Sequence, residues 1–177
     1  MKRPFKMVGL AVGLFLGVMA ISPARQAVAA TATSNFTVTT TVVASCTIAT
    51  GGITFGNYDP IVANNTTPAD ANGTVTVACT NGTAATIGLS QGSFPTMAST
   101  AVAPARQMGT GALRVPYGLY TDAARTTVWG DVGTLAAVTY NSTGMAATTT
   151  NIYGRIAAGL DVAVGSYTDT VTATIQF

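Results

Sequence analysis

The last twelve residues alternate without a break, Tyr167, Asp169, Val171, Ala173, Ile175 and Phe177 on one face and Ser166, Thr168, Thr170, Thr172, Thr174 and Gln176 on the other. One face is apolar except at Asp169 and the other wholly polar, a period of two that marks a half-buried strand. The run continues to the final residue, so nothing after it can cover its outer edge, and the cover is expected to come from elsewhere. Near the other end, ahead of the first cysteine, Phe36, Val38, Thr40 and Val42 alternate with Asn35, Thr37, Thr39 and Thr41 in a second strand-forming run. Together the two runs suggest a fold closed by its neighbour.

Lys2, Arg3 and Lys6 precede an apolar stretch from Met7 to Ala20, and the small residues Ala27 and Ala29, or Val28 and Ala30, offer cleavage sites of the signal-peptidase type. The apolar stretch is shorter than the roughly 20 residues that span a bilayer, so residues 1–30 are expected to be a cleaved signal peptide. Its loss would leave about 147 of the 177 residues, enough for one domain with a real core. It would also remove half of the cations. Arg106, Arg114, Arg125 and Arg155 then face Asp59, Asp70, Asp122, Asp131, Asp161 and Asp169, a net charge near −2. With the basic balance gone, nucleic-acid binding has no electrostatic basis and is not expected.

The exported part contains no Lys, Glu or His and is rich in Thr, Ala, Val and Gly, a composition for short strands and small turns. An all-β domain is the expectation. Cys46 and Cys79 are the only cysteines, and an oxidising compartment would let them pair. In the chain-entropy view, closing a loop of about 34 residues would stabilise the fold by about 4 kcal/mol.

Along the chain, Ala44 to Ile48 passes through Cys46, Gly51-Gly52 marks a turn, and Ile53 to Phe55 is a short apolar piece. Strands are predicted at Thr74 to Cys79 and Thr86 to Ser90, joined by the tight-turn pair Asn81-Gly82 as a hairpin. Gly92 to Ala105 reads as an irregular connection. Leu113 to Thr121 resumes strand character, broken or confined to an edge around Pro116. Leu135 to Tyr140 and Asn151 to Ala157 follow. Seven or so short strands and one disulfide point to an immunoglobulin-like sandwich.

Catalysis fails on inventory. Without His, Lys, Glu or a free thiol, the usual general bases and activated nucleophiles are missing, and no catalytic, cofactor-binding or metal site is assigned. Asp70-Ala71-Asn72-Gly73 is only a fragment of a calcium loop. The aspartates are read as turn formers and surface charges, with Arg155 paired to one of them. Trp129, the single tryptophan, is read as core or a loop plug rather than a stacking platform.

An ordered set of segments is more specific than any of these signals. Cys46 follows a short N-terminal strand, then come Gly56-Asn57-Tyr58-Asp59-Pro60, Tyr117-Gly118-Leu119-Tyr120-Thr121-Asp122, Trp129-Gly130-Asp131, Tyr153-Gly154-Arg155-Ile156 and Gly165-Ser166-Tyr167-Thr168-Asp169. Over essentially the whole exported chain this set resembles the spore coat protein U-like family, the pilins of archaic chaperone-usher systems. The resemblance implies an incomplete immunoglobulin-like sandwich, completed by a donor strand from a neighbouring subunit. It assigns residues 31–41 as donor, with Phe36, Val38 and Thr40 facing inward, and residues 42–177 as the pilin domain. Tyr167, Val171, Ala173, Ile175 and Phe177 would form the strand at the groove edge. The implied partners are identical or related pilin subunits, a periplasmic chaperone and an outer-membrane usher, and the implied setting is a cell-surface pilus for attachment and biofilm formation. The alternatives are a spore coat structural component, a secreted binding module that completes its own sheet, and a small outer-membrane β-barrel.

Overall fold

The computed structural model describes residue 26 and residues 28–177. The expected signal peptide lies almost wholly outside the described residues. The described chain divides after Thr40 into two units. In the first unit, residues 28–40 have no regular secondary structure and their side chains are exposed. The second unit is all-β, and no helix occurs among the described residues.

Its eight strands are β1 (Cys46–Gly51), β2 (Ala69–Cys79), β3 (Ala84–Leu89), β4 (Arg106–Thr110), β5 (Leu113–Tyr120), β6 (Val138–Asn141), β7 (Thr148–Ile156) and β8 (Ala173–Gln176). They form a five-stranded sheet in the order β1-β2-β7-β5-β4 and a three-stranded sheet in the order β6-β3-β8. All pairings between these strands are antiparallel. Both sheets are open at their edges, the architecture of a sandwich rather than of a barrel.

Period-two burial builds the core. In β2, Val75, Val77 and Cys79 point inward while Thr74, Thr76 and Ala78 are more exposed. Val75 and Val77 meet Ile87 and Leu89 of the smaller sheet, with Leu119, Ile152 and Trp129 filling the same cluster. Trp129 is wholly buried, and its indole Nε1 donates to the Ile87 carbonyl at 2.9 Å, so its polar edge is satisfied where the ring removes most apolar surface. Cys46 and Cys79 stand directly opposite each other in the β1–β2 register and are joined by a disulfide.

Three expectations change. The hairpin across Asn81-Gly82 is instead a corner between sheets, because both edges of β2 are taken by β1 and β7 while β3 pairs with β6 and β8. Gly82 turns it at a φ of +82°, and Thr83 N bonds Thr80 O at 3.1 Å. Strand β4 emerges immediately after the expected irregular connection and pairs with β5 across a turn at Gly111. The uninterrupted final strand is regular only over Ala173–Gln176; residues 166–172 are bridged to β4 at a single point, Gly109 to Thr168. Pro116 fits the edge reading, since β5 meets β7 only from Gly118 onward.

Candidate functional site: an open groove

Between the sheets runs a groove of about 1080 Å³. One wall is the segment Thr50–Pro60, which leaves β1. The other wall is Val162–Val171 with Ala173, which leads into β8. Leu89, Val115, Tyr117, Leu119, Ile152 and Ile156 form the apolar floor.

Local sequence explains each wall. After Gly51-Gly52 the chain can no longer follow β2, and Gly73 opposite has no side chain because Ile53 Cγ1 lies 2.6 Å from where a Cβ would stand. Ile53 packs on the main core cluster, and Phe55 and Tyr58 on a second one, with Val115 and Ile156. The Tyr58 hydroxyl anchors the far end, donating to Ala157 O at 2.7 Å and accepting from Leu160 N at 3.0 Å. Then Asp59 Oδ1 accepts the amides of Ile61 and Val62, turning the chain away.

The second wall is held from behind. Thr168 exchanges both backbone bonds with Gly109, at 2.8 and 3.2 Å, and Thr172 O accepts from Ser90 N at 2.9 Å. Asp169 is its fixed point. Its Oδ1 accepts the amides of Ser93 and Thr170, each at 2.7 Å, and its Oδ2 accepts the Tyr117 hydroxyl at 2.6 Å. Burial, reinforced by the bond to Asp169, pushes the Tyr117 hydroxyl far above its ordinary pKa, so it remains a donor.

Beneath the same wall lies Arg106, 1% exposed. Its Nε donates to Ser90 O at 2.8 Å, and its Nη2 donates to Leu89 O at 2.7 Å and Trp129 O at 2.9 Å. Burial lowers its pKa to about 10, which still leaves a cation at neutral pH. This one side chain ties the end of β3 and the Trp129 loop to β4.

The decisive property of the groove is its backbone. Among the described residues, no hydrogen bond engages the main chain from Ile53 to Tyr58, nor that of Tyr167, Asp169 or Val171. Two segments thus face a common apolar groove, the first with its main chain unpaired from Ile53 to Tyr58 and bent at Gly56 (φ +72°), the second with alternate residues unpaired. Such an edge is a template for an added strand.

Of the residues assigned to the groove edge, Tyr167, Val171 and Ala173 line the groove. Ile175 packs against the main core cluster. Phe177 lies beside Ala84, Ala85 and Thr86 of the smaller sheet and is 55% exposed. Of the residues expected to form a donor strand, Phe36 is 87% and Val38 81% exposed, and Thr40 is exposed too. Sequence reasoning missed Arg106 and Tyr117, which carry no local signal for the loops they reach.

The outer face of the larger sheet holds a charged cluster. Arg155 grips Asp70 through two bonds of 2.7 and 2.8 Å, and Arg125 Nη1 lies 3.3 Å from the same carboxylate. The bond from Arg155 holds Asp70 below its ordinary pKa. Asp70 to Gly73 is therefore part of β2 rather than a metal loop, and no group of metal-ligating side chains occurs among the described residues.

The profile of the Spore Coat Protein U domain matches residues 32–174. The chain belongs to this family. One relative is Protein U of Myxococcus xanthus, 38% identical over 169 residues, covering 90% of this chain and 91% of that protein. Among solved structures the fold is similar to the CsuC-CsuE chaperone-tip adhesion subunit pre-assembly complex from archaic chaperone-usher Csu pili of Acinetobacter baumannii. The TM-score is 0.51 at 20% identity, over 77% of this chain. The match spans 40% of the length of that longer chain.

Proposed function

We propose that this protein is a pilus subunit that polymerises by donor-strand complementation. The groove of one subunit receives residues 31–41 of the next, after a periplasmic chaperone has occupied it and an outer-membrane usher has exchanged the strand. The observation that carries this reading is the unpaired main chain of Ile53 to Tyr58 and of Tyr167, Asp169 and Val171, all facing one apolar groove. The exposure of Phe36 and Val38 supports the donor half. Burying those two side chains would contribute about 3 to 6 kcal/mol, an upper figure, so backbone bonds along both walls must add the rest. Attachment and biofilm formation are the roles that such a surface fibre would serve. The scarcity of general bases supports a structural rather than catalytic part.

The family description favours a second setting for the same mechanism, a structural component of a spore coat. Strand exchange would build either assembly.

The test is non-reducing gel electrophoresis, unheated and heated, of the exported chain and of one lacking Thr31 to Thr39. A ladder of heat-sensitive multimers that vanishes with the deletion, or with Phe36→Asp, is the expected outcome. A single monomer band from both chains would point instead to a secreted module complete in itself.

A further inference from the structure

We propose that Asp169 sets the register of the incoming strand by accepting the hydroxyl of Thr40 from a second copy of the chain. This rests on the strand-exchange reading above and specifies its geometry.

The backbone fixes which residues can pair. Because Thr168 turns its N–H and C=O toward Gly109, its neighbours Tyr167 and Asp169 turn theirs the opposite way, as does Val171 two residues on. Those main-chain groups are unpaired among the described residues, and the side chains of the same three residues line the groove. A strand added there in antiparallel sense, like the named strand pairs of both sheets, would place its inward side chains directly opposite Tyr167, Asp169, Val171 and Ala173.

The side chains then choose among registers. Asp169 is the one carboxylate in this inward row. A carboxylate has about four acceptor sites; the Ser93 and Thr170 amides and the Tyr117 hydroxyl use three. Covering the fourth with an apolar side chain would leave it unsatisfied, whereas a hydroxyl completes it. The inward face of the donor run has hydroxyls at Ser34 and Thr40.

With the second copy's Thr40 opposite Asp169, its Val38 meets Val171 and its Phe36 meets Ala173, the smallest residue of the row. All the large donor side chains then fall in the groove. With Ser34 there instead, Phe36 would meet the bulky Tyr167, and Val38 would face Gly165, which is exposed. The Thr40 register is the one that uses both the polar point and the apolar positions.

The experiment uses the full chain bearing paired cysteines, scored by intersubunit bands on non-reducing gels. Val38→Cys with Val171→Cys is expected to lock the multimers covalently, and Phe36→Cys with Tyr167→Cys is not. Covalent multimers from the second pair alone, or from neither pair while heat-sensitive multimers persist, would overturn the register and leave strand exchange standing. Absence of multimers from the unaltered chain would overturn strand exchange and the register with it.

A second measurement keeps the hydroxyl itself testable. Thr40→Val should speed dissociation of multimers about tenfold or more, and Thr40→Ser should restore slow dissociation. Equal rates for Thr40→Val and the unaltered chain would remove Asp169 from the role.

Discussion

Arg106→Met replaces a buried cation by an apolar side chain of similar length, and its effect follows from three bonds. The guanidinium satisfies the carbonyls of Ser90, Leu89 and Trp129 at 2.7 to 2.9 Å. Hydrogen bonds from a charged donor contribute about 1.5 to 3 kcal/mol each, so the gross loss is several kcal/mol. Two effects offset it. Burial already costs the cation enough to bring its pKa down to about 10, and Nη1 has no partner among the described residues. The net destabilisation is expected to be about 3 kcal/mol, which for a domain of this size lowers the melting temperature by about 10 °C. Trp129 is the assay: it is the single tryptophan, is wholly buried and supplies one of the carbonyls. Its fluorescence through urea unfolding should show a lower midpoint with an unchanged slope, and Arg106→Lys should fall between the two. A Met variant as stable as the parent would refute the reasoning, because it would mean that desolvation of the cation cancels all three bonds.

Other outcomes can be checked with the same reporter. Asp122 is held at a pKa of about 2, below its ordinary 3.8, chiefly by the backbone amides of Thr127 and Thr126. A depressed carboxylate stabilises the fold fully above about 3.8 and loses that contribution as pH falls through about 2; Asp122→Asn should flatten the acid limb in that window, and an unaltered limb would argue against it. Gly88→Ala would drive a Cβ into the backbone of Asp131 and Val132. That should cost about 1 to 3 kcal/mol and push the Trp129 loop from β3, read as a lower urea midpoint with altered native fluorescence. Replacing both Cys46 and Cys79 by Ala opens a loop closed across a separation of 33 residues and should cost about 4 kcal/mol. A loss below about 1 kcal/mol would show that the unfolded chain is already constrained there.

Much of the fold was legible because its signals are local. Alternation in Val75-Thr76-Val77-Ala78-Cys79 needs only a side-chain period of two, and it locates the second half of β2 and its inward face without a partner strand, whereas Ala69–Gly73, loop-like in composition, become strand only by pairing with β7. The two cysteines, with no third to compete, define their own pairing. The alternating run at Phe36 and Val38 reads as strand-forming, yet residues 28–40 hold no regular secondary structure and those side chains are exposed.

What stayed hidden depends on which strands become neighbours. Asn81-Gly82 has the same turn chemistry whether it joins paired strands or two sheets, and the decision falls to β7, which claims the second edge of β2. Arg106 has the local look of a surface arginine; only the meeting of β4 with the ends of β3 and the Trp129 loop turns it into a buried clamp. Asp169 interrupts an apolar face in the sequence. It becomes a fixed point only when Tyr117, 52 residues away, brings its hydroxyl. The sequence by itself determined strand periodicity, the disulfide and the absence of His and Glu, because these follow from residue types and nearest neighbours. Only the tertiary structure decided where the groove opens, since an unpaired backbone edge is a property of the strands that are not there to cover it.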